Sequence, residues 1–312
     1  MTALPRLVVV LGPTGSGKSA LGIRLAHQLD GEVLVCDSTQ IYRGFDIGTA
    51  KVLPAEQEGV PHHLVDLADA LEIFTAGEYR RVALDALADL RRRNKLPILT
   101  AGTGLYLRAL LEGLADAPTR SEALRERLKQ RSGAKSPGYL HRLLARLDRD
   151  SAQRIAPADT PKLIRAIEVC LLTGKTLTQI HEEGRDKLQG FEVLKIGLSP
   201  QRDELYARLD ARVSTMLTAG WLEEIARHRQ QGIAADAKPF QFIGYSQLRA
   251  HQEGRATLPD AIKEIQQATR RYAKRQMTWF RREKEVHWLN GFGDAPKIAA
   301  LAVQILGPTR NS

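Results

Sequence analysis

The sequence predicts an α/β fold in which a parallel-sheet core is interrupted by a mostly helical insertion domain. In the first 115 residues, short β-branched runs alternate with amphipathic helical patterns, as in strand–helix–strand units. Between residues 120 and 190 the sequence has no strand pattern, and such a pattern returns at 192–198. We therefore predict that 1–115 and 191–312 form the two parts of the core, and that 116–190 form the inserted domain.

The first part of the core begins with a strand pattern at 6–11, which is short, rich in valine and followed by a glycine. A helix is predicted over 18–29, because Leu21, Leu25 and Leu29 recur on one face. The next predicted elements are a strand at 33–36, a helix at 76–93 and a strand at 97–100. This alternation favours a parallel sheet.

The second part of the core begins with the strand pattern at 192–198 and contains a late strand pattern at 286–289. A long basic helix is predicted over about 258–285. The intervening insertion is predicted as short helices broken at glycine and proline. Residues 120–190 contain 15 Lys+Arg and 9 Asp+Glu, a net charge of +6.

Composition excludes several classes of protein. A hydrophobic fraction of 43% and a charged fraction of 26% are ordinary for a globular chain, so general disorder is excluded. The longest aliphatic run near the start, 7–11, is far shorter than the ~20 residues of a membrane span. We expect a cytoplasmic protein without membrane association. Cys36 and Cys170 are too few for a disulfide scaffold or a Cys-rich zinc site, and His62 and His63 are expected to be structural.

The chain is strongly basic. Its 46 Lys+Arg exceed its 36 Asp+Glu by 10. Basic surface attracts phosphate backbones, which favours a polyanionic partner such as nucleic acid. Many basic enzymes bind no nucleic acid, however, so composition alone leaves the partner open.

A phosphate-binding motif follows the first predicted strand. Residues 12–19 match G-x-x-x-x-G-K-[ST] between a strand and a helix, which is the context this P-loop requires. Its glycines let backbone N–H groups curl around a phosphate at the positive end of a helix. Lys18 is predicted to neutralise phosphate oxygens and Ser19 to coordinate Mg²⁺. The predicted diphosphate-binding residues of this P-loop NTPase-like core are Gly12, Pro13, Thr14, Gly15, Ser16, Gly17, Lys18 and Ser19.

The P-loop alone does not identify the phosphate compound. A nucleoside monophosphate kinase or an ATPase is the default for such a loop, and an ATPase usually has an acid at the end of a deeper strand. The predicted strand at 97–100 is followed instead by Ala101, Gly102 and Thr103. The first acid at a strand end is Asp37, on the strand after the P-loop helix.

Five further motifs follow the P-loop in order. They are Asp-Ser-Thr-Gln-Ile-Tyr at 37–42, Asp-Ile-Gly-Thr-Ala-Lys at 46–51, Pro-His-His-Leu-Val-Asp at 61–66, Gly-Thr at 102–103 and Lys-Arg-Gln-Met-Thr-Trp-Phe-Arg at 274–281. This ordered set resembles the bacterial tRNA dimethylallyltransferases (tRNA isopentenyltransferases) over about residues 8–289. The chain departs from the family's usual residues at Thr39, Ala101 and Ser246.

The resemblance implies a prenyltransferase that transfers a dimethylallyl group from dimethylallyl diphosphate to the N6 amine of adenosine 37 of tRNA. It implies that the P-loop binds the donor diphosphate, that Mg²⁺ is the cofactor, and that the insertion grips the anticodon stem-loop. A monomer is expected. The alternatives are an adenylate isopentenyltransferase, a P-loop small-molecule kinase and an RNA-binding module; the basic insertion and last helix favour tRNA.

Three residues are predicted to be catalytic. Asp37 is the candidate base, because a carboxylate can accept the proton of the acceptor amine as the new bond forms; the alternatives are a helix cap or a residue that orients a Mg²⁺ ligand. The resemblance places Thr103 at the reaction centre, although it could cap the following helix. The resemblance also places an arginine at the donor diphosphate, and Arg212 fits better than Arg208, unless both lie on a solvated helix face.

The resemblance also implies a set of tRNA contacts. Cations along the last helix can bind phosphates, and interleaved aromatic residues can stack, although Trp279 and Phe280 are expected in the core. The predicted tRNA-binding residues are Asp37, Ser38, Thr39, Gln40, Thr103, Arg125, Pro161, Lys162, Leu163, Ile164, Arg165, Gln241, Phe242, Ile243, Gly244, Tyr245, Ser246, Lys274, Arg275, Gln276, Met277, Thr278, Trp279, Phe280 and Arg281.

Overall fold

A six-stranded parallel sheet forms the centre of the fold, which confirms the predicted α/β class. The computed structural model describes residues 4–115, 117–118, 120–182 and 186–307. The strands are β1 (Arg6–Leu11), β2 (Gly31–Cys36), β3 (His62–His63), β4 (Leu96–Ala101), β5 (Glu192–Leu198) and β6 (Val286–Leu289).

The helices surround the sheet and form the insertion. They are α1 (Lys18–Leu29), α2 (Ala76–Arg92), α3 (Gly104–Glu112), α4 (Glu122–Ala134), α5 (Tyr139–Leu147), α6 (Arg149–Arg154), α7 (Thr160–Thr173), α8 (Leu177–Glu182), α9 (Arg202–Thr218), α10 (Trp221–Gln230), α11 (Tyr245–Gln252), α12 (Leu258–Phe280) and α13 (Pro296–Leu306). Short 3₁₀ turns lie at Pro54–Glu56 and Lys238–Gln241. Within the described ranges, no helix is long and apolar enough to cross a membrane.

The strand order β3-β2-β4-β1-β5-β6 places β4 between β1 and β2. Ala101 at the end of β4 is in register with both Leu11 of β1 and Cys36 of β2. Since the three strands are parallel, their carboxyl ends meet at one edge of the sheet. The segments that leave these strands, namely the P-loop, the Asp37 segment and the Gly102–Thr103 segment, are therefore neighbours.

Burial explains why these runs form strands and helices. Five of the six residues of β1 are buried, as expected for a strand covered on both faces. Leu21, Leu25 and Leu29 are the buried face of α1, as their spacing predicted. They pack with residues of β1, β2, β4 and α13 in one hydrophobic cluster. This packing holds the P-loop between a buried strand and a buried helix face.

A second hydrophobic cluster surrounds Phe45, Trp221 and Tyr245 and includes residues of α10, α11 and α12. The Glu224 carboxylate joins this cluster to the segment after β2, because it accepts hydrogen bonds from Asp46 N at 3.0 Å and Ile47 N at 2.9 Å. The cluster therefore fixes α12 against the part of the chain that follows Asp37.

The last long helix ends at Phe280 rather than at 285, so that part of the sequence prediction was wrong. Arg282 N and Glu283 N donate to the carbonyls three residues earlier, which tightens the chain into a turn. Glu285 then adopts a left-handed φ of 56° immediately before β6. The helix must stop because the next strand, which pairs with β5, begins at Val286.

The edge strand β3 was not predicted. It is held by the buried Glu32 of β2, which accepts a hydrogen bond from His63 Nε2 at 2.6 Å and from Arg93 Nη2 at 2.9 Å. The hydrogen bonds from Arg93 and His63 outweigh burial and lower the pKa of Glu32 to about 2. His63 therefore has a structural partner.

The chain divides into two compact units, residues up to 110 together with those from 189 onward, and residues 111–188. In the described part of the second unit, the regular structure is helical, from α4 to α8. Its own hydrophobic core includes Leu128, Leu140, Leu144, Leu163 and Ile167.

Candidate active site

The P-loop adopts a conformation that only glycine favours at two positions. Gly15 and Gly17 have φ values of 77° and 86°. A Cβ at Gly17 would also lie 2.7 Å from the Asp294 carboxylate and from Gly293 N. Gly17 is the N-cap of α1, and it provides no side-chain hydrogen bond to the first turn of that helix. The first-turn N–H groups are thus available to an anion.

Lys18 is the cation of this loop. Its ammonium donates to Pro13 O at 2.9 Å. Burial lowers the pKa of Lys18 to about 8, and the charge of Asp37 opposes that shift while Arg212 adds to it. A phosphate ligand beside Lys18 would stabilise the charged form that burial disfavours.

Asp37 lies at the end of β2 with one carboxylate oxygen held in place. Its Oδ1 accepts hydrogen bonds from Thr39 N at 2.9 Å and from Thr39 Oγ1 at 2.7 Å. A Cβ at Gly102 would lie 2.5 Å from Asp37 Oδ2, so the carboxylate needs a glycine there. The two segments that follow β2 and β4 are therefore in direct contact at Asp37.

Thr103 reinforces this contact. Ser38 N donates to Thr103 Oγ1 at 3.0 Å, and Thr103 Oγ1 donates to Ser38 Oγ at 3.2 Å. Gly102 N and Thr103 N both donate to Cys36 O at 3.0 Å. The Thr103 hydroxyl is thereby oriented by the segment that holds Asp37.

Gln276 of α12 joins the P-loop to the Gly102–Thr103 segment. Thr14 N donates to its Oε1 at 2.8 Å, and its Nε2 donates to Gly102 O at 2.7 Å. Only 6% of the residue is exposed. The sequence placed Gln276 among the RNA contacts, and its internal position was not foreseen.

Two arginines of α9 stand at the P-loop, four residues apart. Arg208 Nη1 donates to Asp294 Oδ1 at 2.9 Å, and its guanidinium lies 4.8 Å from the centre of the Phe292 ring. Arg212 is half-buried, and burial and the charge of Arg208 lower its pKa. Arg208 is thus already paired, whereas Arg212 lies where its charge acts on Lys18.

Most of these groups line one cavity of about 780 Å³, a size typical of small-ligand sites; Gly102 is in its lining, whereas Thr103 is not. The structure brings together at this cavity the predicted residues Thr14, Gly15, Gly17, Lys18, Ser19, Asp37, Gln40, Arg212 and Gln276. The cavity also has an apolar wall that the sequence did not predict, formed in part by Ile47, Val52, Leu53 and Met216. Polar phosphate groups and a small apolar group can therefore occupy it together.

The donor atoms of the cavity suit a Mg²⁺ ion that is held mainly by a ligand's phosphates. Within the described residues, no group of three or more His, Cys, Asp or Glu side chains could hold a metal. Mg²⁺ commonly keeps several waters and takes only one or two protein oxygens besides the phosphates. The Ser19 hydroxyl and the Asp37 carboxylate, which line the same cavity, are such oxygen donors.

Comparison with known proteins identifies the family. The family model described as IPP transferase matches residues 40–283. This chain belongs to the IPP transferase family. The match covers more than half of the chain, and the resemblance seen in the sequence motifs is confirmed.

Relatives and solved structures extend this IPP transferase match to the P-loop. A tRNA dimethylallyltransferase of Solibacter usitatus is 51% identical over 297 residues, covering 95% of this chain and 96% of the relative. The full-length tRNA isopentenylpyrophosphate transferase of Bacillus halodurans has a TM-score of 0.70 at 34% identity, covering 96% of both chains. A eukaryotic dimethylallyltransferase described as acting on tRNA has a TM-score of 0.79 at 29% identity, covering 92% of this chain and 74% of that one.

In this IPP transferase, α12 presents two different faces. Ala273, Gln276 and Phe280 are buried, whereas Lys274 and Arg275 are exposed. Further exposed cations lie on α12 or directly after it, at Arg271, Arg281, Arg282 and Lys284. The helix therefore contacts the cavity with one side and offers a row of positive charge on the other.

Trp279 differs from the expectation that it is a core residue. It is 37% exposed, whereas Phe280 is fully buried. A Cβ at Gly104 would overlap the Trp279 ring, so the indole lies directly on the segment that follows Thr103. An aromatic surface thus stands beside the candidate reaction centre.

Several predicted tRNA-binding residues have buried side chains, which disfavours direct contact of these side chains with RNA. Leu163 and Ile164 are 1% and 3% exposed and belong to the core of the helical unit. Tyr245 is buried, and its hydroxyl donates to Glu224 Oε1 at 2.6 Å. Phe280 is buried as well, so these side chains stabilise the conformation of their segments. Exposed neighbours such as Lys162 are available to bind RNA.

Arg125, another predicted tRNA contact, is engaged inside the helical unit. Its Nε and Nη2 donate to the Glu168 carboxylate at 2.9 and 2.7 Å, and Arg165 Nη1 donates to the same group at 2.8 Å. Burial would raise the pKa of Glu168, but the two arginines and Ser121 N lower it to about 2. The sequence contains no local signal for this pairing, because the partners are 43 residues apart.

Proposed function

We propose that this IPP transferase transfers a dimethylallyl group from dimethylallyl diphosphate to the N6 amine of adenosine 37 of tRNA. The observation that supports this most directly is that one cavity contains both a phosphate-binding loop and an ordered carboxylate, Asp37, at adjacent strand ends. A phosphate site next to a base is what a transfer with a diphosphate leaving group requires.

The P-loop holds the donor diphosphate. The residues at the start of α1 line the cavity together with Lys18 and Arg212, and their N–H groups and cationic side chains would bind the diphosphate there. As the bond from C1 of the dimethylallyl group to the diphosphate oxygen breaks, negative charge on that oxygen increases, and these cations stabilise it. The Ser19 hydroxyl would help to hold a Mg²⁺ ion, which would supply further neutralisation of the leaving group.

Asp37 accepts the proton of the acceptor amine. The N6 lone pair forms the bond to C1 of the dimethylallyl group, the diphosphate leaves with the electrons of the broken C–O bond, and an N6 proton moves to Asp37. Thr39 fixes Oδ1, so the carboxylate has a defined direction. The Thr103 hydroxyl, held by Ser38, orients the acceptor group next to this base.

The exposed cations of α12 bind the RNA backbone. Lys274, Arg275 and Arg281 lie on the solvent side of the segment whose buried side lines the cavity. The indole of Trp279 provides a stacking surface for a base that has left its helical stack. In the helical unit, Lys162 and the partly exposed Arg165 are further candidates for phosphate contact.

A transfer assay tests the proposal. Dimethylallyl diphosphate labelled in the prenyl group is incubated with Mg²⁺ and undermodified tRNA, and parallel reactions contain adenylate or γ-labelled ATP. Label is expected in tRNA at adenosine 37. Label in adenylate alone would identify the nucleotide-modifying alternative, and transfer of the γ-phosphate would identify a kinase.

Replacing the base tests the mechanism. Asp37→Asn keeps an oxygen for the bonds from Thr39 but lowers proton affinity, so kcat is expected to fall ~10²–10⁴-fold. Affinity for tRNA, measured by filter binding, should stay within about twofold because the side chain keeps its shape. A variant with near wild-type kcat would remove Asp37 from the role of base.

A further inference from the structure

The amide of Gln276 is the only side chain in the described hydrogen-bond network of the cavity that bonds to both the donor loop and the acceptor loop. Its Oε1 accepts from Thr14 N at 2.8 Å and its Nε2 donates to Gly102 O at 2.7 Å. Thr14 is the third residue of the P-loop, and Gly102 precedes Thr103. A side-chain amide can accept a hydrogen bond at its oxygen and donate one from its nitrogen at the same time.

Both backbone partners of Gln276 lie directly beside groups that the proposed reaction uses. Thr14 is in the loop that would hold the diphosphate. Gly102 packs against Asp37, since a Cβ there would be 2.5 Å from Asp37 Oδ2. A shift of Gly102 would therefore move the surroundings of the base.

The sheet alone does not set the distance between these loops. The last register pair of β1 and β4 is Leu11 with Ala101, and both loops continue beyond it. Backbone hydrogen bonds fix the strand ends, whereas Thr14 stands three residues past the end of β1. Beyond the last paired residues of β1 and β4, the amide of Gln276 connects the two loops by hydrogen bonds.

We propose that Gln276 is a positioning residue that sets the spacing between the P-loop and the Asp37–Thr103 centre, and so between prenyl donor and acceptor amine. This role rests on the proposed function and refines it. A displacement of about 1 Å between reacting groups can reduce a rate by ~10²-fold, so a single buried link between the loops has a large effect.

The surroundings of Gln276 support this role over an RNA contact. The residue is 6% exposed and both ends of its amide are bonded within the protein. Lys274 and Arg275, two positions and one position earlier, are exposed instead. Tyr272, one turn before Gln276, shares its side of α12: burial and the charge of Asp37 raise the pKa of Tyr272, while hydrogen bonds with Thr103 and Gln276 lower it.

Two substitutions of Gln276 test the link. Gln276→Met keeps the length but removes both hydrogen bonds, and Gln276→Glu keeps an acceptor for Thr14 N while it sets a carboxylate against Gly102 O. We expect kcat to fall ~10–100-fold in both variants, because the two loops are no longer held at a fixed distance from each other. KM for dimethylallyl diphosphate and Kd for tRNA should each change by no more than about threefold.

Two control variants on the same helix separate the possible causes. Gln266→Met also removes an amide hydrogen bond to a backbone carbonyl, that of Asp210, but neither residue lines the cavity; it should leave kcat unchanged. Lys274→Ala removes an exposed cation and should raise the Kd for tRNA, whereas the Gln276 variants should lower kcat with little change in that Kd. The contrast between Lys274 and Gln276 distinguishes RNA binding from positioning.

A readout that does not depend on catalysis completes the test. The amide ¹H–¹⁵N resonance of Thr14 should shift, and its hydrogen exchange should accelerate, in Gln276→Met but not in Gln266→Met. If wild-type protein modified no tRNA, the proposed function would fail while this measurement still reported the link.

Three results would overturn the positioning role. One is a tenfold or larger loss of tRNA affinity with kcat retained, which would make Gln276 an RNA contact. Another is a lower Tm with full kcat per folded molecule in both Gln276 variants, which would make it only structural. The third is a Thr14 amide that does not respond to Gln276→Met.

Discussion

Lys18 of the cavity and Arg125 of the helical unit are cations that the sequence assigned to function, and their surroundings are opposite. Within the described residues, Lys18 forms no ion pair; its ammonium donates to the Pro13 carbonyl, and burial lowers its pKa to about 8. Arg125 donates two hydrogen bonds to the fully buried Glu168 carboxylate. The first charge is left for a ligand to compensate, whereas the second is compensated by the fold.

The difference shows how a binding cation can be distinguished from a structural one. A buried cation without a carboxylate partner destabilises its own charged form, so an incoming anion binds to it strongly. A buried pair such as Arg125 and Glu168 needs both partners, because removal of one leaves an uncompensated charge. Mutation should therefore affect activity at Lys18 and stability at Arg125.

The largest expected effect is on catalysis at Lys18. Lys18→Met should lower kcat/KM for dimethylallyl diphosphate by ~10²–10³-fold, because one cation is lost from the leaving group. Tm should not fall, since the substitution removes a charge that burial disfavours. A large drop in Tm would mean that Lys18 supports the fold, as Arg125 does, and is not kept for a ligand.

The next effect is on stability at Arg125. Arg125→Met should lower the free energy of unfolding by about 3 kcal/mol, because Glu168 keeps its charge in a buried site with one arginine fewer. Urea denaturation measures the loss. Arg165→Met is the matched control. It removes only one of the three arginine hydrogen bonds to Glu168, and the Arg165 side chain is more exposed than that of Arg125, so the free energy of unfolding should fall by less. Equal losses would show that the number of bonds does not decide the effect.

The pH dependence of donor binding sharpens the contrast. In the free protein the pKa of Lys18 is lowered to about 8, so above that pH the binding form becomes scarce. Above pH 8, KM for dimethylallyl diphosphate should therefore rise about tenfold per pH unit. Below pH 8, Lys18 is protonated and should cause no change in KM. Lys18→Met should remove the rise, and a wild-type KM that stays constant to pH 9.5 would contradict it.

The smallest expected effect is on acid stability through Glu168. Its pKa is lowered from 4.5 to about 2, so its carboxylate stabilises the fold above pH 4.5 and this contribution is lost as the pH falls toward 2. Glu168→Gln should flatten the stability profile over that window in chemical denaturation at several pH values. The change is modest because other carboxylates titrate over the same range, and an unchanged slope would show that Glu168 is not the linked group.

Local patterns made part of the structure predictable. The spacing of Leu21, Leu25 and Leu29 predicted both bounds of α1, and the valine-rich run before Gly12 predicted β1, because burial of one face or of a whole strand acts within a few residues. The P-loop was predictable for the same reason, since its glycines, lysine and serine act on a single ligand.

Contacts between distant segments were not predictable in this way. Gln276 lies 262 residues from Thr14, and nothing in its neighbours in sequence indicates that its amide faces inward. Leu163, Tyr245 and Phe280 stand in motifs of the family, but their burial depends on elements that pack from elsewhere in the chain. The end of α12 was missed because the pairing of β6 with β5 decides it.

Residue types at short, fixed spacing were sufficient to predict the α/β class, the phosphate-binding loop and the family. Tertiary structure alone decided which side chains share the cavity. The parallel order β2-β4-β1 brings Asp37, Gly102 and the P-loop to one edge, and the packing of α12 turns Gln276 toward them and Lys274 away. Which side of α12 is buried depends on packing against elements that are distant in the sequence, and such packing has no local signal in the sequence.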